Sequence, residues 1–373
     1  MASQRWALDP TSQRVALTVL RRGPISRTDL GRDLGLSSAS VTRLTRPMVQ
    51  ARLLVECQPK GRRTGRPALP LDIAAESATF VGLKISHEGL HAVLTDLRGT
   101  ILTSASCRGD RLSPADVTAA VCTLVDELAE GRPRPDALGA SLGATVGPDG
   151  LVRGARFLGW DAPVDLSALL EAETGLPTTI DNDVNAFTVA EHWFGAGRDT
   201  DDFVVVTIGA GVGVGLVARD ELVTGRQGAA GMVGPVLVLD GRKAEDVLTG
   251  VILIERISAA LGRPLTMEDV PSLPDLAEDD PTLAALLDEV ADAVGQLAGT
   301  VAAITAPEVV LVAGEGAPLL GRREGRVRTE VARMCPDHLP APEVVVDVVG
   351  DDEWARGAAA LAIRAHMGVG PDA

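Results

Sequence analysis

Aromatic side chains are scarce in this chain of 373 residues, which contains no Tyr, five Phe and four Trp. Its core must therefore be built mainly from Ala, Val and Leu, and binding of single strands by stacking bases on aromatic rings is disfavoured. The four cysteines are isolated, with no Cys-x-Cys or Cys-x-x-Cys pair. That spacing is not typical of a disulfide framework or of a structural zinc site. We expect no metal and no cofactor.

Long apolar runs are also missing, since no stretch of about 18 apolar residues is present to span a membrane. The first six residues, Met-Ala-Ser-Gln-Arg-Trp, are not followed by the apolar segment of a signal peptide. We therefore expect a cytoplasmic protein without a membrane partner. Its length favours two or three domains.

Basic residues are distributed unevenly along the chain. Thirteen of the 35 Lys and Arg residues lie in the first 70 positions, together with only four Asp or Glu. The other 303 positions carry 22 basic and 47 acidic side chains. Lys and Arg release counterions when they bind phosphates, whereas DNA repels an acidic body. The split indicates a nucleic-acid-binding arm on an acidic body, and a basic tail without a partner is the alternative.

Three short helices are predicted in this basic arm. Apolar residues at helical spacing lie within residues 11–22, and a second helix is predicted over 27–34. A third begins at Ser37, and Pro47 is expected to bend or shorten it. Two short helices around a glycine turn, the second rich in Ser, Thr and Arg, are typical of a helix-turn-helix.

The third helix and the segment after it carry the residues expected to contact DNA. An apolar strand at 53–55, a basic turn at 60–67 and a second apolar piece complete the layout of a winged helix. Arg43 and Arg46 can reach a guanine edge or a phosphate, and the wing arginines can lie along phosphates or in a narrow minor groove. The expected DNA-binding residues are Ser37, Ser38, Ser40, Thr42, Arg43, Arg46, Arg62, Arg63 and Arg66. An ordinary three-helix domain with a solvated charged face is the alternative.

Beyond residue 79, strands alternate with helices, which indicates an α/β body. A glycine-rich run at 209–215 lies between two predicted strands, where backbone N–H groups can approach an anion or where the glycines simply form a turn. Residues 181–183 (Asp-Asn-Asp) follow a strand and precede a helix predicted over 186–194. Their side chains can bind sugar hydroxyls and accept a proton, or they can cap the helix. Both alternatives stay open from the residues alone.

Taken in order, these motifs resemble the ROK family (repressor, open reading frame, kinase) over nearly the whole chain. The matching segments are the winged helix with its Gly-Arg-Pro wing, a first phosphate hairpin at 80–99, the segments at 181–185 and 207–215, and the C-terminal segments at 306–310 and 350–358. The resemblance implies an actin-like (ribonuclease H-like) fold of two α/β lobes around a cleft, with a last helix returning to the first lobe. It also implies a regulator that forms a dimer or a dimer of dimers and responds to a sugar.

Several positions depart from the pattern of the family's kinases. Their first hairpin carries Asp-x-Gly-Gly-Thr, where this chain has Lys-Ile-Ser-His-Glu from Lys84 to Glu88, so we expect weak or no ATP binding. Met232 and Pro235 replace a Glu that contacts sugar and a His that binds sugar and zinc, and the Cys-x-Cys zinc cluster that follows in the family is missing. Asp183 matches the kinases' catalytic base. We nevertheless expect no catalytic residue, because a base without a phosphoryl donor has no reaction to assist.

The sequence therefore predicts a DNA-binding transcriptional regulator, expected to be a repressor, whose degenerate sugar-kinase-like body senses a small molecule. The expected effector is a sugar or a modified metabolite, contacted by Asn182, Asp183, Gly143, Gly147, Met232 and Pro235. A homodimer or a dimer of dimers would bind an inverted-repeat operator in double-stranded DNA. The alternatives are a sugar kinase with an added DNA-binding arm and an effector-independent DNA binder.

Three domains are expected in such a chain. The winged helix-turn-helix is predicted at 1–75, lobe 1 at 76–190 with the C-terminal helix at 352–370, and lobe 2, with the effector cleft and the oligomer contacts, at 191–351.

Overall fold

The N-terminal region forms three helices followed by a two-stranded antiparallel sheet. The computed structural model describes residues 6, 8–58, 69–110 and 112–368. The elements of this region are α1 (Pro10–Arg22), α2 (Arg27–Leu34), α3 (Ser38–Gln50), β1 (Leu54–Glu56) and β2 (Leu71–Ile73). In the β1–β2 sheet, Leu54 pairs with Ile73 and Glu56 with Leu71. This order of elements confirms the predicted winged helix.

Local capping explains where these helices begin and end. The side chains of Asp9, Ser26 and Ser37 accept backbone N–H groups at the starts of α1, α2 and α3, which satisfies donors that have no partner inside a helix. Gly35 ends α2 in the left-handed conformation, with φ of 65°. Of the two expected effects of Pro47, a bend or a shortening of the helix, the shortening does not occur, because α3 continues through Pro47 to Gln50.

The first large sheet begins at Thr79 and has five strands in the order β5-β4-β3-β6-β9. Its strands β3, β4 and β5 are antiparallel neighbours, while β3, β6 and β9 run parallel. The elements of this segment are β3 (Thr79–Ser86), β4 (Gly89–Asp96), β5 (Ile101–Arg108), α4 (Pro114–Leu128), β6 (Ala137–Leu142), β7 (Thr145–Val146), β8 (Val152–Arg153), α5 (Leu166–Thr174), β9 (Thr178–Asn182) and α6 (Asp183–Phe194).

The second large sheet repeats this topology, in the order β12-β11-β10-β15-β16. Here β10, β11 and β12 are antiparallel neighbours, while β10, β15 and β16 run parallel. The elements are β10 (Phe203–Ile208), β11 (Val212–Ala218), β12 (Glu221–Leu222), β13 (Leu237–Val238), β14 (Arg242–Lys243), α7 (Glu245–Leu248), α8 (Gly250–Leu261), α9 (Leu273–Leu276), α10 (Pro281–Thr305), β15 (Val309–Ala313), α11 (Glu324–Met334) and β16 (Glu343–Val346).

The last helix, α12 (Asp351–His366), packs on the first sheet. Glycines on two neighbouring strands make room for its backbone: a Cβ on Gly82 would overlap the carbonyl oxygen of Ala355, and a Cβ on Gly139 would overlap that of Ala358. The return of a C-terminal helix to the first sheet follows the prediction from the family resemblance. Short 3₁₀ helices also occur at Ala75–Ser77, Arg156–Leu158, Arg226–Gly228, Leu239–Gly241, Met267–Ser272 and Ala317–Arg323.

Contacts divide the described residues into two units. One contains the residues up to Asp199 and those from Trp354 onward, and the other spans Thr200–Glu353. The winged helix therefore belongs to the same unit as the first sheet, and the three predicted domain boundaries stay a prediction. The winged helix and the two α/β sheets confirm the predicted fold class. None of the helices in the described part of the chain has the length and apolar character needed to cross a membrane.

Candidate functional sites

Helix α3 presents the polar side chains that were expected to face DNA. Ser37, Ser38 and Thr42 are exposed, and Ser40 is partly buried. The hydroxyl groups are largely engaged within the helix: the Oγ atoms of Ser37 and Ser40 lie 3.0 Å apart, and Thr42 donates to the carbonyl of Ser38 over 2.9 Å. These short side chains shape the surface more than they offer free donors.

Arg43 and Arg46 are the exposed cations on this helix. Neither makes an ion pair or hydrogen bond with another of the described residues, whereas Arg22, Arg27 and Arg32 in the same region pair with carboxylates. Free guanidinium groups keep all their donors for a ligand, and each can form two parallel hydrogen bonds to guanine or to phosphate.

A shallow depression on α3 brings these arginines together with side chains that the sequence prediction omitted. Its lining residues are Ser38, Ala39, Thr42, Arg43, Arg46, Pro47 and Gln50. Gln50 adds an amide that suits adenine, and Ala39 leaves room for close approach. Spacing alone could have identified both, because positions 39, 43, 46 and 50 follow one face of a helix.

Three of the predicted DNA-binding residues, Arg62, Arg63 and Arg66, lie outside the described residues, between β1 and β2. The antiparallel pairing of β1 and β2 nevertheless fixes where that segment leaves and rejoins the domain.

The segment Asp181–Asn185 forms a helix cap and a polar cluster together. Helix α6 begins at Asp183 and not at the predicted residue 186, because Asn182 is its N-cap and accepts the backbone N–H groups of Val184 and Asn185. The Asn182 Nδ2 atom also donates to the carbonyl of Ala144 over 3.1 Å. Most hydrogen-bonding capacity of Asn182 is therefore used inside the protein, and one amide hydrogen remains for a ligand.

Asp183, the residue that matches the family's base, is paired with Lys84. The Lys84 ammonium donates to Asp183 Oδ2, and both side chains are mostly buried, with 12% and 16% exposed. The same ammonium lies 4.7 Å from the ring centroid of Trp354, within the range of a cation–π interaction. A cation thus holds one oxygen of the Asp183 carboxylate, and it lies at the strand position where the family resemblance implies an Asp in the kinases.

Other buried polar groups surround this pair. Lys84, Ser141 and Asp181 are register partners on β3, β6 and β9, so their side chains share one face of the sheet. Burial raises the pKa of Asp181, against the hydrogen bond that it accepts from Asn185 over 3.0 Å. The Ser141 Oγ and Trp354 Nε1 atoms are buried and have no hydrogen-bond partner among the described residues.

The remaining predicted effector residues lie in different surroundings. An added Cβ on Gly143 would lie 3.5 Å from Asp183 Oδ2, so this glycine borders the Lys84–Asp183 pair. The groups nearest to Gly147 are those of Asp149 and Arg153. Met232 and Pro235 belong to the second unit, where both are exposed.

The glycine loop of the second unit, at residues 209–215, has two features that disfavour phosphate binding and that the sequence did not indicate. The Gly209 N–H donates to the carbonyl of Gly211 over 3.0 Å, and the Gly209 carbonyl accepts the Gly250 N–H over 2.6 Å. The Glu315 carboxylate occupies the space that a Cβ on Gly209 would take. An engaged amide and a neighbouring carboxylate both disfavour phosphate binding at Gly209. Among the described residues, no group of three His, Cys, Asp or Glu side chains is placed to hold a metal ion.

Known proteins share this architecture and parts of the sequence. The model of the ROK family matches residues 80–365. A putative xylose repressor from Caldicellulosiruptor sp. (strain Rt8B.4) is 27% identical over 59% of this chain and 57% of its own length. The DNA-binding transcriptional dual regulator NagC from Escherichia coli (strain K12) is 24% identical over 92% of this chain and 90% of its own length.

The crystal structure of a ROK family transcriptional regulator, a homolog of the E. coli MLC protein, aligns with a TM-score of 0.77 and 22% identity over 96% of both chains. At this identity the likeness shows the fold. Sugar kinases also match the chain. The chain spans about half the length of the first curated relatives that it matches, 57% and 51%.

Proposed function

Because this chain belongs to the ROK family, we propose that it is a DNA-binding transcriptional regulator whose kinase-like body senses a small-molecule effector. The observation that carries the proposal is the exposed face of α3, where Arg43 and Arg46 have no partner among the described residues. The regulators among its relatives, NagC and a xylose repressor, support it. Repression is the expected mode of action.

Phosphoryl transfer is not part of the proposed function. Lys84 holds one carboxylate oxygen of Asp183, and Glu315 lies against Gly209 in the glycine loop. A carboxylate beside a phosphate-binding loop repels a nucleotide, and an ammonium cannot coordinate Mg²⁺. The sugar kinases among the relatives favour the alternative of a kinase with an added DNA arm. These two features weigh against it.

The proposed effector is an uncharged, hydroxyl-rich molecule such as a sugar or a modified sugar. The Asp183 carboxylate, the free amide hydrogen of Asn182 and the backbone at Gly143 are the groups that suit hydroxyl contacts. Gly147, Met232 and Pro235 remain further candidates from the sequence.

Regulation requires that the effector distinguishes two states of the DNA-binding form. A homodimer or a dimer of dimers would place two α3 helices in successive major grooves of an inverted repeat. We propose that the oligomer has two states that differ in the spacing of these two helices. An effector that binds one state more tightly shifts the population towards it, whereas equal affinity for both states would change nothing.

Substitution of the α3 arginines tests the DNA-binding proposal. A duplex selected from a random library serves as the probe, and fluorescence anisotropy measures its affinity. We expect Arg43→Ala or Arg46→Ala to weaken binding by about 1–3 kcal/mol and to relax the preference at one base pair. Arg14→Ala, which removes an exposed arginine on α1, is the matched control. Binding that both α3 variants leave unchanged would contradict the assignment of α3.

Substitution of the wing arginines should change DNA binding in a different way from substitution of the α3 arginines. Loss of Arg62, Arg63 and Arg66 should weaken binding to all duplexes and flatten its dependence on salt, because such contacts release counterions without reading bases.

Thermal shift measurements test the effector proposal. We expect at least one of D-glucose, D-xylose and N-acetylglucosamine, and none of their phosphates, to raise the melting temperature, because a bound ligand stabilises the folded state. Asp183→Ala should abolish that shift. If no sugar stabilises the protein, the proposed sugar effector is wrong. The alternative of an effector-independent DNA binder predicts that no small molecule of any class raises the melting temperature.

A further inference from the structure

The two ends of α6 contact two different parts of the first unit. Its N-terminal residue Asp183 pairs with Lys84. Near its C-terminal end, the buried His192 Nε2 lies 3.1 Å from the Nη2 atom of Arg21, the penultimate residue of α1. Arginine only donates, so His192 accepts at this nitrogen. One helix of 12 residues, about 18 Å long, therefore joins the Lys84 cluster to the winged helix.

Two arginines of the body hold the end of α1. Arg198, four residues after α6, donates to the carbonyls of Arg21 and, over 3.3 Å, Gly23. Arg98, in the turn between β4 and β5, donates to the carbonyl of Leu20 over 3.1 Å. The last carbonyls of a helix lack partners within it and attract cations. The winged helix is thus fastened to the body at the C-terminal end of α1.

Helix α12 makes the same connection a second time. Trp354, in its first turn, lies over the Lys84 ammonium. At its other end, the ring of His366 packs edge-on against Trp6 at 4.9 Å, and the carbonyl of Gly368 just beyond it accepts from Gln13 Nε2 of α1 over 3.2 Å.

Close packing makes α6 and α12 one body. A Cβ on Gly357 of α12 would lie 2.8 Å from the backbone nitrogen of Phe187 on α6, so the two backbones are in contact. The rings of Phe187 and Trp354 lie 4.9 Å apart, and Arg356 donates to Glu191 over 2.7 Å. Helices packed this tightly cannot shift independently.

We propose that Lys84 is the positioning residue that couples Asp183 to the winged helix through the packed pair of α6 and α12. The proposal rests on the proposed function, since it gives the route by which an occupied Asp183 alters DNA binding. A ligand hydroxyl at Asp183 competes with the Lys84 ammonium and loosens its hold on the starts of both helices. The far ends of the helices then transmit the change to Arg21, Trp6 and Gln13.

Hydrogen exchange of the full-length protein, without DNA or effector, tests this coupling. Lys84→Met removes the ammonium and keeps most of the side-chain length. We expect exchange of the backbone amides at residues 15–22 to quicken at least threefold, although this segment does not contact Lys84. Lys84→Arg, which keeps the charge, should restore slow exchange. Arg326→Met, which breaks the Arg326–Asp292 pair in the second unit, is the control and should leave residues 15–22 unchanged.

The outcomes separate coupling from general destabilisation. Faster exchange confined to β3 and the start of α6, or an equal effect of the Lys84 and Arg326 substitutions at residues 15–22, would overturn the proposal. Asp183→Asn removes the charge of the same pair from the other side and replaces Lys84→Met if that variant does not fold. Because neither DNA nor sugar is present, a negative result here leaves the proposed function untouched. A failure of the DNA-binding test leaves the hydrogen-exchange result unchanged, but it removes the regulatory role of the coupling, and the two failures are therefore distinguishable.

Discussion

The two large sheets share one topology but differ at equivalent positions. In each sheet, the central strand (β3 in the first and β10 in the second) pairs with an antiparallel hairpin partner on one side and with a parallel strand on the other. The parallel pairing of β3 with β6 begins at Phe80, and that of β10 with β15 begins at Phe203. The fifth residue pair in each is Lys84 with Ser141 in the first sheet and Thr207 with Ala313 in the second. A buried cation thus stands in the first sheet where the second carries a threonine.

The two sheets share their strand order, whereas the side chains at matching positions differ. Where the family resemblance implies an Asp in the first hairpin of the kinases, this chain has Lys84 in a mostly buried ion pair. In the glycine loop of the second sheet, the Gly209 N–H is engaged and Glu315 lies beside it. The strands and their order depend on buried apolar residues and pairing register, and not on the side chains at these positions.

Glycine substitutions in the two sheets should give the largest effect on stability. They distinguish a glycine that close packing requires from a glycine that could carry a side chain. Gly139→Ala forces a Cβ into the backbone of α12 and should lower the free energy of unfolding by about 3 kcal/mol or more. Gly211→Ala points into open space in the second hairpin and should change it by less than about 0.5 kcal/mol. Urea unfolding followed by circular dichroism measures both. Equal losses would mean that the close packing of α12 on the first sheet is wrong.

Substitution of Glu315 should improve the ability of the glycine loop at 209–215 to bind phosphate. We expect Glu315→Ala to strengthen the binding of Mg-nucleotide about tenfold, equivalent to about 1.4 kcal/mol, because a like charge beside Gly209 is lost. Titration calorimetry with a non-hydrolysable ATP analogue measures the affinity. Glu315→Gln separates charge from shape, and it should give most of the same gain. No gain in either variant would show that the carboxylate is not what excludes the nucleotide.

The buried carboxyl of the first sheet should give a smaller, pH-dependent effect. Burial raises the pKa of Asp181, so the folded state holds its proton more tightly than the unfolded chain does. Stability from this group is complete below the ordinary pKa of Asp and is lost as pH rises through the raised value, at most about 1.4 kcal/mol per pH unit. Asp181→Asn should therefore gain stability relative to the unsubstituted protein as pH rises from about 4. Parallel stability curves for the two proteins would contradict this account.

Much of this organisation could be predicted from the sequence, because it depends on local patterns. Helix spacing predicted α1 to α3, and the family resemblance implied the hairpin that β3 and β4 form. Lys84 and Glu88 are the basis for expecting weak or no ATP binding.

Other features depend on contacts between distant parts of the chain. The pairing of Lys84 with Asp183, residues 99 positions apart, needs the parallel register of three strands before the two side chains meet. The position of Glu315 beside Gly209 and the fastening of α1 by Arg98 and Arg198 likewise follow from tertiary packing. The sequence does not determine the start of α6 because Asn182 suits a ligand contact as well as a helix cap, and in the structure it caps the helix at Asp183.

The most direct test of the proposal that this kinase-like fold does not transfer phosphate is ADP release from Mg-ATP in the presence of a sugar panel, measured for the unsubstituted protein and for Asp183→Asn. The account predicts no release that depends on Asp183 with any sugar. Turnover with one of these sugars that Asp183→Asn abolishes would contradict it and would show that the Lys84–Asp183 pair opens to leave a working base.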